Sequence, residues 1–209
     1  MLKIDLLRHG ETTLSHTLRG STDDDLTKLG WLQMQQTIDQ SGHAVKLNSM
    51  QKPVQWDVIF TSPLKRCRLF AEAIAEQKQR PIFYDAGLQE MHFGDWEGVS
   101  TRIIYENQPE LLANFWQQPT QFTPPNAENM QDFYQRIFNT LEHIQQQMQE
   151  NGWQHALVVT HGGVIKLLKC IALNHSLDDI LKMTAELGQL NSFLIHKDAS
   201  IHLVQEKQQ

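Results

Sequence analysis

An imidazole and a guanidinium stand side by side in Leu7-Arg8-His9-Gly10-Glu11-Thr12, directly behind the apolar run Leu2-Lys3-Ile4-Asp5-Leu6-Leu7. The pairing suits phosphate chemistry: Arg offers a planar fork to an oxyanion, and neutral His is a nucleophile near pH 7. A strand ending there would deliver both groups to the crevice where α/β sheets bind ligands. Taken alone, the same pair would serve equally well at a strand end that faces solvent. A second His-Gly step tips the balance, because Ala156-Leu157-Val158-Val159-Thr160-His161-Gly162-Gly163 is again an apolar run ending in histidine. Between the two, Val58-Ile59-Phe60-Thr61-Ser62-Pro63-Leu64-Lys65-Arg66 supplies a third apolar run. Its Ser-Pro step predicts a helix start with Arg66 in the first turn. Two histidines and two guanidinium groups are thereby expected at one sheet edge.

The elements that must position them alternate along the chain. Thr27 to Ile38 is expected to be a helix with a stripe of Leu26, Leu29, Leu32 and Met34, behind a solvated turn at Asp23-Asp24-Asp25 whose charges suit that helix's N-terminus. Leu64 to Gln77 is a second helix, and Pro81 to Tyr84 is short and extended. Met130 to Met148 is a longer helix, with Phe133, Ile137, Leu141, Ile144 and Met148 at helical spacing. Gly163 to Leu173 is the last helix, and Leu190 to Ile195 with Ser200 to Val204 predicts a hairpin across His196-Lys197-Asp198-Ala199. The polar tail from Gln205 to Gln209 is expected to fray. The fold class is α/β: a three-layer α/β/α sandwich with a central, mostly parallel sheet and an antiparallel edge strand. One domain over residues 1–209 is expected, with residues 98–135 as a lid or substrate segment.

Composition bounds the partners. The net charge of −6, from 18 Lys and Arg against 24 Asp and Glu, with no basic stripe, argues against nucleic acid. No long apolar stretch predicts a membrane span or a leader, so a cytoplasmic protein is expected. Cys67 and Cys170 are too few for a disulfide framework and are expected as packed thiols. Neither metal-ligand spacing nor a nucleotide-binding glycine loop occurs, so no metal and no cofactor are expected.

The chain resembles the histidine phosphatase superfamily, the phosphoglycerate mutase-like proteins. Four motifs carry the resemblance in order: Arg8-His9-Gly10-Glu11-Thr12; Ser62-Pro63-Leu64-Lys65-Arg66; Leu88-Gln89-Glu90 leading into Phe93-Gly94-Asp95-Trp96-Glu97-Gly98; and Thr160-His161-Gly162-Gly163. The resemblance implies the three-layer sandwich and a metal-independent phosphomonoesterase that forms a phosphohistidine on His9. Arg8 and Arg66 would neutralise the phosphate and, as nearby positive charges, lower the His9 pKa. His161 would help to stabilise charge on the equatorial oxygens, with the Gly162 N–H as a further donor. Glu90 takes the family's general-acid position and would afterwards activate water, its neighbours Met91 and Phe93 desolvating it. Glu97 is the competing carboxylate and is expected to anchor a loop.

The expected substrate is a small phosphomonoester. A mutase must hold a second phosphate and a carboxylate, yet from Gly98 to Gln135 only Arg102 is offered, beside Tyr105, Phe115, Trp116 and Phe122, which suit an apolar or planar leaving group or simply pack a lid. Leu14-Ser15 stands where mutases of the family carry Trp-Asn. The pattern is closest to the α-ribazole phosphatase branch, which points to α-ribazole 5′-phosphate of cobalamin assembly. Ala127-Glu128-Asn129 departs from that branch's Gly-Glu-Ser. The alternatives are a phosphoglycerate mutase and a non-catalytic phosphate-ligand-binding protein of the same fold.

Overall fold

The computed structural model describes residues 1–43, 55–196 and 200–204. Its strands are β1 (Leu2–Arg8), β2 (Val58–Thr61), β3 (Ile82–Tyr84), β4 (His155–Thr160), β5 (Leu190–Ile195) and β6 (Ile201–Leu203), in the spatial order β3-β2-β4-β1-β5-β6. The first four in that order are parallel and β5 and β6 run antiparallel, as the alternating pattern predicts. The central pair matters most for the site. β1 and β4 lie side by side with Arg8 opposite Thr160, so the two His-Gly steps leave the sheet together.

Each central strand is buried on both faces, which is why these runs are nearly continuous in apolar residues. One face, through Leu7, Ile59, Leu157 and Val159, packs on α1 (Lys28–His43) and α2 (Lys65–Lys78). The other, through Ile4, Leu6, Phe60 and Val158, packs on α5 (Met130–Glu150) and α6 (Gly162–Ala172). All five apolar positions read on the long helix are buried along α5. Two short helices, α3 (Thr101–Asn107) and α4 (Pro109–Gln117), lie between β3 and α5 in the chain. Among the described residues no helix is long and apolar enough to cross a membrane.

Three local expectations need correction. Leu29 and Leu32 are each 50% exposed rather than part of an apolar stripe. The helix instead docks on the line Gly30, Met34, Ile38, because Gly30 and Gly10 meet backbone to backbone; a Cβ on Gly10 would lie 2.0 Å from the Gly30 carbonyl oxygen. Helix α2 starts at Lys65, and Ser62 does not cap it. Its first N–H, on Lys65, donates instead to Asp23 Oδ1 at 2.7 Å. Asp24, in turn, is 5% exposed and not part of a solvated turn, because it neutralises Arg19 and Arg66. The hairpin of β5 and β6 forms as expected, while residues 197–199 of its turn and the 205–209 tail lie outside the described residues. Both cysteines are buried and free.

Candidate active site

His9 follows β1 and is 3% exposed, its backbone N–H donating to the Thr160 carbonyl at 3.0 Å. Its Nδ1 lies 2.8 Å from the Gly10 carbonyl. A carbonyl only accepts, so Nδ1 carries the proton and Nε2 keeps a lone pair. Burial, then the charges of Arg66, Arg8 and Arg19, hold this imidazole well below its ordinary value of 6.5, against the opposing pull of the Gly10 bond. The ring is therefore uncharged and of fixed tautomer at neutral pH, the form a nucleophilic imidazole needs.

A consequence is testable in a pH–rate profile. The acid limb that His9 imposes on kcat/KM is expected well under pH 6.5, and a limb at 6.5 would contradict the burial argument. His161 is depressed likewise, by burial, Arg66, His9 and Arg8. Unfolded, both histidines protonate near 6.5, while folded they resist. The unfolded chain therefore binds more protons below 6.5, and Tm is expected to fall as the pH drops through that range.

The rings of His161 and His9 are 5.3 Å apart, centroid to centroid. His161 is fully buried; its Nδ1 accepts from Arg66 Nε at 3.3 Å, so its Nε2–H donates to Ser62 Oγ at 2.8 Å. Arg66 is buried too, and its remaining donors go to the Thr22 and Gly20 carbonyls and to Asp24. Neither side chain is among those lining the main pocket. The geometry brings both His161 and Arg66, each expected to contact phosphate, to the side of His9, and Arg66 also holds the 19–24 loop.

The cations that do line the pocket beside His9 are Arg8, Arg19 and Lys166. Arg8 Nε and Arg19 Nε are buried and without a hydrogen-bond partner among the described residues. Buried donors without partners call for an explanation, and two guanidinium N–H groups beside His9 fit an oxyanion. Burial and then the charge of Arg8 push Lys166 below its ordinary value. Sequence reasoning missed both added cations. Lys166 was legible, since it falls one turn after Gly162 on α6; Arg19 was not, because nothing local announces its pairing with Asp24.

Gly162 and Gly163 open α6, and each leaves room for one functional side chain. A Cβ on Gly162 would lie 3.0 Å from Arg8 Nε, and one on Gly163 would lie 2.1 Å from Glu90 Oε1. Glu90 lines the pocket, its Oε2 accepting from Gly163 N at 2.9 Å and Oε1 from Met91 N at 3.1 Å. Two backbone donors thus fix its carboxyl beside Arg8 and His9. Glu97 is elsewhere. It accepts from the backbone N–H groups of Gly20, Ser21, Thr22 and Phe93 and from the Thr22 hydroxyl, tying the Arg19 loop to the Glu90 loop. Burial raises its pKa, but these donors outweigh it and hold the carboxyl below its ordinary value.

The pocket is also lined by apolar residues, Leu18, Phe115, Trp116, Phe133 and Leu181 among them. Tyr105 is 64% exposed and not part of it, and Arg102 is paired with Glu106 at the surface. The departure at Ala127-Glu128-Asn129 keeps a helix cap, since Asn129 Oδ1 accepts from Asp132 N at 2.9 Å where the branch pattern has Ser.

The sequence profile of the histidine phosphatase superfamily (branch 1) matches residues 4–206. An adenosylcobalamin/alpha-ribazole phosphatase of Escherichia coli is 30% identical over 172 residues, 80% of this chain and 77% of that protein. Phosphoserine phosphatase 1 of Hydrogenobacter thermophilus is 27% identical over 176 residues, 83% of this chain and 77% of the relative. The solved structure of Bacillus stearothermophilus YhfR superposes with a TM-score of 0.81 at 27% identity, covering 99% of this chain and 96% of the other. Some mycobacterial relatives are longer, and the chain spans 53% of their length.

Proposed function

This chain belongs to the histidine phosphatase superfamily and is a phosphatase; from that premise we propose that it hydrolyses a small phosphomonoester through a phosphohistidine on His9. The supporting observation is the pairing in one pocket of a lone-pair Nε2, its tautomer set by Gly10, with two buried guanidinium N–H groups that lack partners among the described residues. The phosphate dianion lies against Arg8, Arg19 and the α6 N-terminus, where backbone N–H groups favour anions. Nε2 attacks phosphorus in line, the N–P bond forming as the ester P–O bond breaks, and Glu90 gives its proton to the departing alkoxide. Glu90 then takes a proton from water, the hydroxide bonds to phosphorus, and the N–P bond breaks to return neutral His9. Every proton and electron pair is handled by these side chains, so turnover is expected to persist in chelator.

The apolar lining supports an alcohol part that is planar and uncharged, and α-ribazole 5′-phosphate is the leading substrate, in keeping with the Escherichia coli relative. Residues 98–135 serve as the substrate-side cover of a single domain. Arg19 and Lys166, cations beyond Arg8, favour a second reading, a phosphoglycerate mutase. A phosphate-release panel with chelator separates them. α-Ribazole phosphate should turn over at least about tenfold faster than phosphoglycerates, nucleotides and sugar phosphates, the discrimination an apolar pocket supplies. Uniform slow rates would leave a generalist phosphatase. Interconversion of phosphoglycerates only when primed with the bisphosphate would establish the mutase.

A further inference from the structure

Arg136, on α5, spends all three guanidinium nitrogens around the segment that carries Glu90. Nη1 donates to the Gly87 carbonyl at 2.8 Å and the Gln89 carbonyl at 2.9 Å, and Nη2 reaches the Glu90 carbonyl at 3.3 Å. Nε and Nη2 also fork onto Glu128, at 2.8 Å to Oε1 and 2.7 Å to Oε2. The guanidinium lies 5.1 Å from the centre of the Phe133 ring, which lines the main pocket. Glu128 completes the grip on the other side of Glu90. Its Oε2 accepts from His92 N at 3.3 Å, and its own N–H donates to the His92 carbonyl at 3.0 Å.

The ion pair therefore holds the chain both before and after Glu90. Neither partner lines the main pocket; both line a second cavity on whose wall Glu90 also stands. The carbonyls of Gly87, Gln89 and Glu90 sit in and just after a single 3₁₀ turn, with no strand or long helix to fix them. A planar fork that reaches all three fixes their mutual orientation, as a flexible ammonium would not. Close packing adds to this, because a Cβ on Gly87 would lie 1.8 Å from Thr140 Oγ1 of the same helix.

We propose that Arg136 and Glu128 are positioning residues, a clamp that aims the Glu90 carboxyl at the leaving oxygen. The proposal rests on Glu90 being the acid and base of the reaction above. It predicts a dependence on the leaving group that a merely stabilising ion pair would not give. An alcohol leaves only as it is protonated, whereas para-nitrophenolate leaves unaided.

The test measures phosphorylation of His9 by rapid quench, with an alkyl phosphate and with para-nitrophenyl phosphate. Arg136→Lys should slow the first about 10²-fold, the cost of an acid misplaced by about an ångström, and change the second less than about threefold. Glu128→Gln keeps one acceptor and should shift the same ratio in the same direction by a smaller factor, so it carries the test should Arg136→Lys fail to fold. Equal losses on both esters, or none, would overturn the clamp. Glu90→Gln run in parallel separates the causes. If it discriminates between the esters while the clamp variants do not, the clamp alone is wrong; if it is itself indifferent, the role of Glu90 and the clamp fall together.

Discussion

His9→Ala is expected to abolish phosphate release, by at least about 10⁴-fold, since the nucleophile itself is removed. The fold should survive. His9 holds its place through backbone contacts, the Thr160 carbonyl on one side and the Gly10–Gly30 approach on the other, and none of these uses its ring. Quenched during turnover of a radiolabelled ester, the parent should carry an acid-labile phosphoryl group that His9→Ala lacks. His161→Ala provides the contrast. Its ring, 5.3 Å from that of His9, is held by Arg66 and Ser62 and would not be the group phosphorylated, so this variant should keep a detectable label while turning over more slowly. Label on His161, or undiminished turnover by His9→Ala, would refute the assignment of the nucleophile. Loss of binding alone with no turnover in the parent would instead favour a phosphate-binding protein.

Much of this site was legible in the sequence because a strand places the residues at its C-terminal end. Two apolar runs that end in histidine become neighbours when β1 pairs with β4, and the register sets Arg8 beside Thr160. Helix α5 was equally legible, its five apolar residues keeping a period that only a helix uses. Long-range polar pairing was not legible. Arg66 was expected at the site from its place in the helix, but the bonds that orient it, to Gly20, Thr22 and Asp24, come from residues more than forty positions away. Asp24 looked solvated because one of its partners, Arg66, is 42 positions away, and the other, Arg19, meets it across a loop with no regular element to announce the pairing. The stripe of α1 was misread because the helix packs through Gly30, a residue without a side chain to announce a buried face.

Gly163→Ala is expected to cost about 10²-fold in kcat without loss of stability. Gly163 has ordinary helical geometry in the first turn of α6, and alanine is the better helix former by about 1 kcal/mol. The added Cβ would stand 2.1 Å from Glu90 Oε1 and 3.1 Å from its Cδ. One of the two must move, and the end of a flexible carboxylate side chain yields before a packed helix does. Folding is therefore spared and the proton donor is displaced. Gly162→Ala offers the complementary result, because its Cβ would meet Arg8 at 3.0 Å from Nε and 3.1 Å from Cζ. That contact disturbs the cation beside the phosphate, so its effect should appear chiefly as a raised KM. Steady-state kinetics on the two variants, with thermal melts alongside, thus read separately the two side chains that the adjacent glycines accommodate. Parental kcat in Gly163→Ala would mean that Glu90 can work from a second position. A fall in Tm together with kcat would mean that the helix, and not the carboxylate, gives way.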